Sequence, residues 1–165
     1  MKKYLPAGAD SMVWIVTICL IALAFLLLVL AGGITSMPAP ALVSLYVAAG
    51  IVGLVLLTGW LAKPIRYEAR DTSISIVRSW PFSTITISKS EIKEVRHVKL
   101  EKIKPESLVV GWVFGYAGRF QSSELGSFVL FATNPADVVL IHAGEKYVVS
   151  PANPKRFVND VLGRK

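Results

Sequence analysis

Between Ser11 and Ala62 this chain has no Asp, Glu, Lys or Arg at all. Cysteine is almost missing as well, with Cys19 the single example, inside that same stretch. No disulfide framework or thiolate metal site can therefore form in the rest of the chain, which fits a reducing compartment. Histidine is limited to His97 and His142, far apart and without the paired spacing of a metal site. Gly111, Gly115 and Gly118 make no dinucleotide fingerprint, and no lysine follows them as it does in a phosphate-binding loop. No serine sits in a nucleophile elbow. Glu91 and Glu94 stand beside basic residues on a face expected to be exposed, where solvated ion pairs are the ordinary outcome. These gaps argue against catalysis: no catalytic residue, no cofactor and no metal ligand is assigned, and the chain reads as non-enzymatic.

The uncharged stretch is too long for one membrane crossing and right for two, since each needs roughly 20 apolar residues. Gly32-Gly33-Ile34-Thr35-Ser36-Met37-Pro38-Ala39-Pro40 interrupts it with turn-forming residues. Met12 to Ala31 and Pro40 to Leu61 are the predicted helices. Core helices of soluble proteins carry a polar stripe, and neither of these does. A cleaved signal would have a hydrophobic region of only about 7–15 residues, and Met37-Pro38-Ala39-Pro40 is a poor cleavage site. Lys2 and Lys3 before the first span, with Lys63, Arg66 and Arg70 after the second, place both ends of the chain on the cytoplasmic side of an inner membrane that the protein crosses twice. Trp14 and Trp60 fall at matching depth, as interfacial anchors do. Within the hairpin the polar groups Thr17, Cys19, Thr35, Ser44, Tyr46 and Thr58 include no carboxylate, lysine or histidine, so it reads as an anchor and not as an ion or proton path. Ala49 and Gly53, four apart, would let the second helix pack closely on the first or on a second chain.

Residues 1–62 are thus an expected two-span anchor, and 63–165 an expected cytoplasmic domain, long enough for one core. The net charge of +7 lies mostly in that domain, because only Lys2, Lys3 and Asp10 are charged before Lys63. A basic domain beneath an anionic leaflet is drawn toward it, although positive-inside bias alone explains the excess. Period-two alternation predicts strands at Ser73–Arg78 and Thr84–Ser88, with another at Ile65–Arg70. Trp80-Pro81-Phe82 is a predicted corner. Ile92–Leu100 reads as a strand with an exposed face, or else a short helix, the strand being favoured. Leu108–Leu125 is expected to be a long irregular connection. Phe128–Ala132, Val138–Ile141 and Tyr147–Val149 are predicted strands, joined by hairpin loops at 134–137 and 143–146. Asn153 as N-cap and Pro154 in the first helical position open a final helix. Phe157, Val158, Val161 and Leu162 form its apolar face, while Lys155, Arg156, Asn159 and Asp160 point away.

Several segments match a known family in order: Ser90-Glu91-Ile92, Gly115-Tyr116-Ala117-Gly118-Arg119-Phe120, Gly126-Ser127-Phe128, and Tyr147-Val148-Val149-Ser150-Pro151 followed by Pro154-Lys155-Arg156-Phe157. The chain resembles the membrane-anchored bacterial pleckstrin-homology-like domain proteins from about Pro64 to Leu162, and the two preceding spans are a usual arrangement there. The resemblance implies a two-helix transmembrane hairpin followed by a mainly-β, pleckstrin-homology-like barrel of six or seven antiparallel strands with a C-terminal α-helix. It implies a binding role and no reaction.

Two features stand above background. Lys89, Lys93, Arg96, Lys99, Lys102 and Lys104, interspersed with Glu91, Glu94 and Glu101, form a basic stretch. It fits contact with anionic headgroups, at about 1 kcal/mol per cation, and equally a charged edge that blocks aggregation. Nucleic acid fits poorly, since no aromatics interleave with the cations. The second feature is the aromatic, glycine-rich run Val109-Val110-Gly111-Trp112-Val113-Phe114-Gly115-Tyr116, which dips into the interface, grips a partner or folds back over the domain. Candidate partner or lipid contacts are therefore Lys93, Arg96, Lys99, Lys102, Lys104, Trp112, Phe114, Tyr116 and Arg119. The expected function is an anchored scaffold that recruits a protein partner, or a second copy of itself, at the membrane face. An anionic-lipid sensor and an accessory subunit of a larger membrane complex are the alternatives.

Overall fold

The computed structural model describes residues 1–33, 37–79, 84–100, 102–106 and 113–163. The expected corner at Trp80-Pro81-Phe82, the turn residues Ile34 to Ser36, and Val109 to Trp112 lie outside them. Asp10 starts the first helix, α1 (Ser11–Gly33): its carbonyl accepts the Trp14 N–H at 3.2 Å and its carboxylate the Met12 N–H at 3.3 Å. The second helix, α2 (Ala39–Ala62), lies against α1 as a hairpin. Both are long and apolar enough to cross a membrane. Phe25, Leu28, Leu54 and Leu57 all face outward, as expected where no aqueous solvent selects against them. Gly53 does not pack closely on α1 among the described residues. A Cβ on Gly53 would meet nothing within 4 Å.

The chain opens with a short strand that its sequence does not announce. β1 (Lys2–Tyr4) pairs antiparallel with β2 (Pro64–Ala69), Lys2 opposite Ala69 and Tyr4 opposite Tyr67. The helical hairpin is therefore inserted between two neighbouring strands of one sheet. That sheet runs on through β3 (Ser73–Arg78) and β4 (Ile85–Ser88). A second sheet has six strands in the order β5-β9-β10-β8-β7-β6. They are β5 (Glu94–Val98), β6 (Lys104–Pro105), β7 (Tyr116–Ser122), β8 (Gly126–Ala132), β9 (Val138–Ala143) and β10 (Glu145–Val149).

The architecture is thus two sheets that do not close into a barrel, and one pairing is not antiparallel: β8 and β10 run parallel, Tyr147 opposite Val129. Residues 134–137 consequently do not close a hairpin, because β9 lies between β5 and β10. The β9–β10 hairpin is as expected and turns at Gly144. Much of the expected irregular connection is in fact β7, whose alternation is masked by Ala117, Gly118 and Arg119. The second sheet must also curl. Laid flat, five strand spacings separate β5 from β6 by about 24 Å, whereas the six residue steps from Val98 to Lys104 reach at most about 22 Å.

Each face of the curled sheet has its own core. On one, Val95, Phe131, Val139, Ile141 and Val149 meet Tyr67, Ile74, Ile76 and Ile87 of the first sheet. On the other, Phe120, Phe128, Leu130, Leu140 and Val148 are covered in part by Leu100 and by Val13 of α1. The unbroken apolar run of β9 follows from this, since both of its faces are buried. The buried Tyr67 hydroxyl ties the sheets together, donating to the Phe131 carbonyl at 2.8 Å and accepting the Ser150 N–H at 3.3 Å.

The last helix, α3 (Pro154–Leu162), packs over β5, with further contact to β2 and β9. The Asn153 side chain accepts the Arg156 N–H at 3.1 Å, a conventional N-cap. Phe157 is fully buried and meets Tyr4 and Tyr67 edge-on at 5.0 and 6.4 Å. Such pairs contribute about 0.5–1.5 kcal/mol beyond burial. Two positions differ from expectation. Leu162 is exposed, and Asp160 does not point away: it receives Lys2 at 2.6 Å and the Tyr4 hydroxyl, clasping β1 onto α3.

Candidate functional site

The hairpin rests on the chain segment that leads into β7. Gly59, near the end of α2, lies so close to it that a Cβ would fall 2.7 Å from Val113 Cβ and 3.0 Å from the Val113 carbonyl. Only glycine allows that approach. From the other helix, buried Thr17 accepts the Phe114 N–H on its hydroxyl at 3.2 Å. Phe114 has φ 60°, a region non-glycine residues seldom enter. Its half-buried ring lies 5.7 Å from the Lys63 ammonium, which is also 5.7 Å from the Trp60 ring, within the range of cation–π attraction. Tyr116 is 4% exposed, and its hydroxyl donates to the Asp10 carboxylate at 2.8 Å. Burial first, and then that bond, raise its pKa far above the ordinary tyrosine value, so it remains a neutral donor. β7 is thereby fastened to the residue that caps α1.

Beside this junction runs an open groove of about 460 Å³, walled by Leu5, Pro6, Val13, Trp14, Ile65 and Phe114, with Lys63 in its lining. Leu5 is 72% exposed, Trp14 59% and Ile65 40%.

The candidate cations from Lys93 to Lys104 lie on three successive segments of the chain. Lys93 and Arg96 lie at the β5 edge of the second sheet, and Lys104 is on β6 at the other edge. Lys99 and Lys102 lie between, on the connection whose Leu100 is buried in the outer core. Lys102 and Lys104 flank a cleft of about 360 Å³ with Gln121, Ser122 and Ser123. Arg96 pairs with Glu94 at 2.8 Å, and Arg119 with Glu145. Lys99, Lys102 and Lys104 make no ion pair among the described residues. Trp112 lies outside the described residues. The His97 Nε2 is hydrogen-bonded to the Asp137 carboxylate. Among the described residues no group of three or more His, Cys, Asp or Glu stands together as a metal cluster.

The sequence alone assigned no site role to Lys63, Gly59, Thr17 or Asp10. One signal was available: Trp60 and Lys63, three apart at a helix end, place a cation beside an indole. Nothing in the sequence distinguishes Gly59 from Gly50 or Gly53.

Residues 65–165 match the sequence profile described as the bacterial PH domain. No curated protein and no solved structure matches the chain.

Proposed function

The chain belongs to the bacterial PH domain family, and from that membership we propose that it is a membrane-anchored, non-enzymatic module recruiting a protein partner at the inner face of the membrane. The observation that carries this reading is the attachment of α1 and α2, apolar on all sides, directly to the PH domain by β1 and β2. Helices with Phe25 and Leu54 facing outward have no favourable place in water. The basic residues near Lys2, Lys63 and Arg66 favour the β domain facing the cytoplasm. Neutralisation of Arg96 by Glu94 and of Arg119 by Glu145 favours recognition of a protein surface over attraction to a layer of headgroups.

A second reading has its own support. Lys99, Lys102 and Lys104, which make no ion pair among the described residues, would draw the domain toward anionic lipid. Copurification of the intact chain from mild detergent separates the two. A partner retained in constant proportion, and lost when Lys93 and Arg96 become glutamate, is the expected result. Salt-sensitive binding to phosphatidylglycerol vesicles, abolished by glutamate at Lys99, Lys102 and Lys104 and accompanied by no protein, would favour the lipid reading instead.

A further inference from the structure

The groove at the foot of the hairpin has one chemical peculiarity. Its wall hydroxyls are already engaged, Thr17 with the Phe114 N–H and Thr133 with the Ala7 carbonyl. Among the described lining residues Lys63 alone offers a charge to an occupant, and it makes no ion pair among the described residues. Two aromatic rings hold its ammonium without neutralising it. What fits is therefore a molecule that is apolar along most of its length and anionic at one end. Location narrows the choice further. The groove begins where α1 and α2 leave the uncharged region, and Val13, Trp14 and Thr17 of α1 line it together with Lys63 at the end of α2.

We infer that this groove binds one anionic glycerophospholipid of the surrounding leaflet. An acyl chain lies along Leu5, Val13, Trp14 and Ile65, and the phosphate pairs with Lys63. The inference rests on the reading of α1 and α2 as a membrane anchor. It assigns a single lipid site at the junction, distinct from the lysines between β5 and β6. It also explains why Leu5 and Ile65, which belong to the β domain and not to the spans, remain uncovered.

The test uses the full chain in phosphatidylcholine nanodiscs with a trace of diazirine-acyl phosphatidylglycerol or diazirine-acyl phosphatidylcholine, and adducts mapped by mass spectrometry. The anionic probe is expected to label the peptides holding Leu5, Trp14 and Ile65 about fivefold more than the zwitterionic one, the ratio for one near-surface cation. Lys63→Gln should reduce that labelling to the zwitterionic level, and Lys63→Arg should preserve it. Equal labelling by both probes, adducts elsewhere, or an unaltered Lys63→Gln pattern would overturn the site. Alkaline carbonate extraction distinguishes the two levels of failure. If the chain is released from membranes, the anchor reading falls and takes the site with it. A chain that stays integral while the labelling fails leaves the anchor standing and removes only the lipid site.

Discussion

Whether α2 can meet the β domain is decided by a single hydrogen in place of a methyl group, at Gly59. The atoms a methyl would strike there are a Cβ and a backbone carbonyl, neither at the free end of a flexible side chain. Relief must therefore come from movement of the helix or the loop. Overpacking of this kind costs about 1–3 kcal/mol, against a helix-propensity gain of just under 1 kcal/mol for alanine, so the clash wins. Gly59→Ala is expected to lower the melting temperature of the detergent-solubilised chain. Gly53→Ala, with nothing within 4 Å of its new methyl, should leave it unchanged or raise it slightly. Equal behaviour of the two variants would show that α2 does not press on Val113. This contrast was hidden from the sequence because both glycines sit among similar apolar residues, and only the fold decides which of them meets a neighbour.

Elements were legible where local chemistry and periodicity agreed. Asn153-Pro154 followed by Phe157 and Val161 gives α3 directly, and the alternation of Ser73 to Arg78 gives β3. β7 was lost because its middle residues carry little apolar signal, and β1 because three residues are too few for any pattern. β1 owes its place to distant groups. Asp160 accepts from Lys2 and from Tyr4, and those two bonds hold its carboxyl below the ordinary value. Tyr4 responds in the opposite sense: burial, and then its bond to Asp160, push the hydroxyl from 10.0 up to about 12. A group whose folded value is raised contributes stability that is complete below its unfolded value and is lost as pH rises through the folded one. The clasp should therefore hold below about pH 10 and loosen from there toward pH 12. Amide exchange at Tyr67 to Ala69 should accelerate over that window, and in Tyr4→Phe the alkaline step should disappear. A step that persists in the variant would assign the effect to another group.

For the molecule as a whole, the expected order of anchor followed by domain captures the composition but not the connectivity. The β domain takes structure from both sides of the hairpin. Beyond β1, Ala7 donates to the Ser150 carbonyl at 2.7 Å, Ala152 to the Leu5 carbonyl at 2.9 Å, and Thr133 to the Ala7 carbonyl at 2.6 Å. At about 1 kcal/mol each these three bonds set only a floor, since the β1 ladder, the Asp10 N–H to the Thr133 carbonyl and the Tyr116 bond to Asp10 add to them. A chain in which a short Gly/Ser linker replaces residues 11–62 should therefore resist urea by at least roughly 3 kcal/mol more than residues 63–163 alone. Equal urea midpoints and slopes would mean that residues 1–10 are incidental to the fold. The same connectivity sets a sequence of events in folding. Pairing Tyr4 with Tyr67 across the intervening residues of a flexible chain carries a loop-closure entropy of about 3–4 kcal/mol beyond its constant part. Once α1 and α2 have folded back on each other, the two ends of that loop already stand side by side and most of the entropy has been lost beforehand. Prior formation of the helical hairpin is therefore expected to promote closure of the first sheet, and a change deep within α1 or α2 that slows their pairing should delay the β domain, though it touches none of its residues.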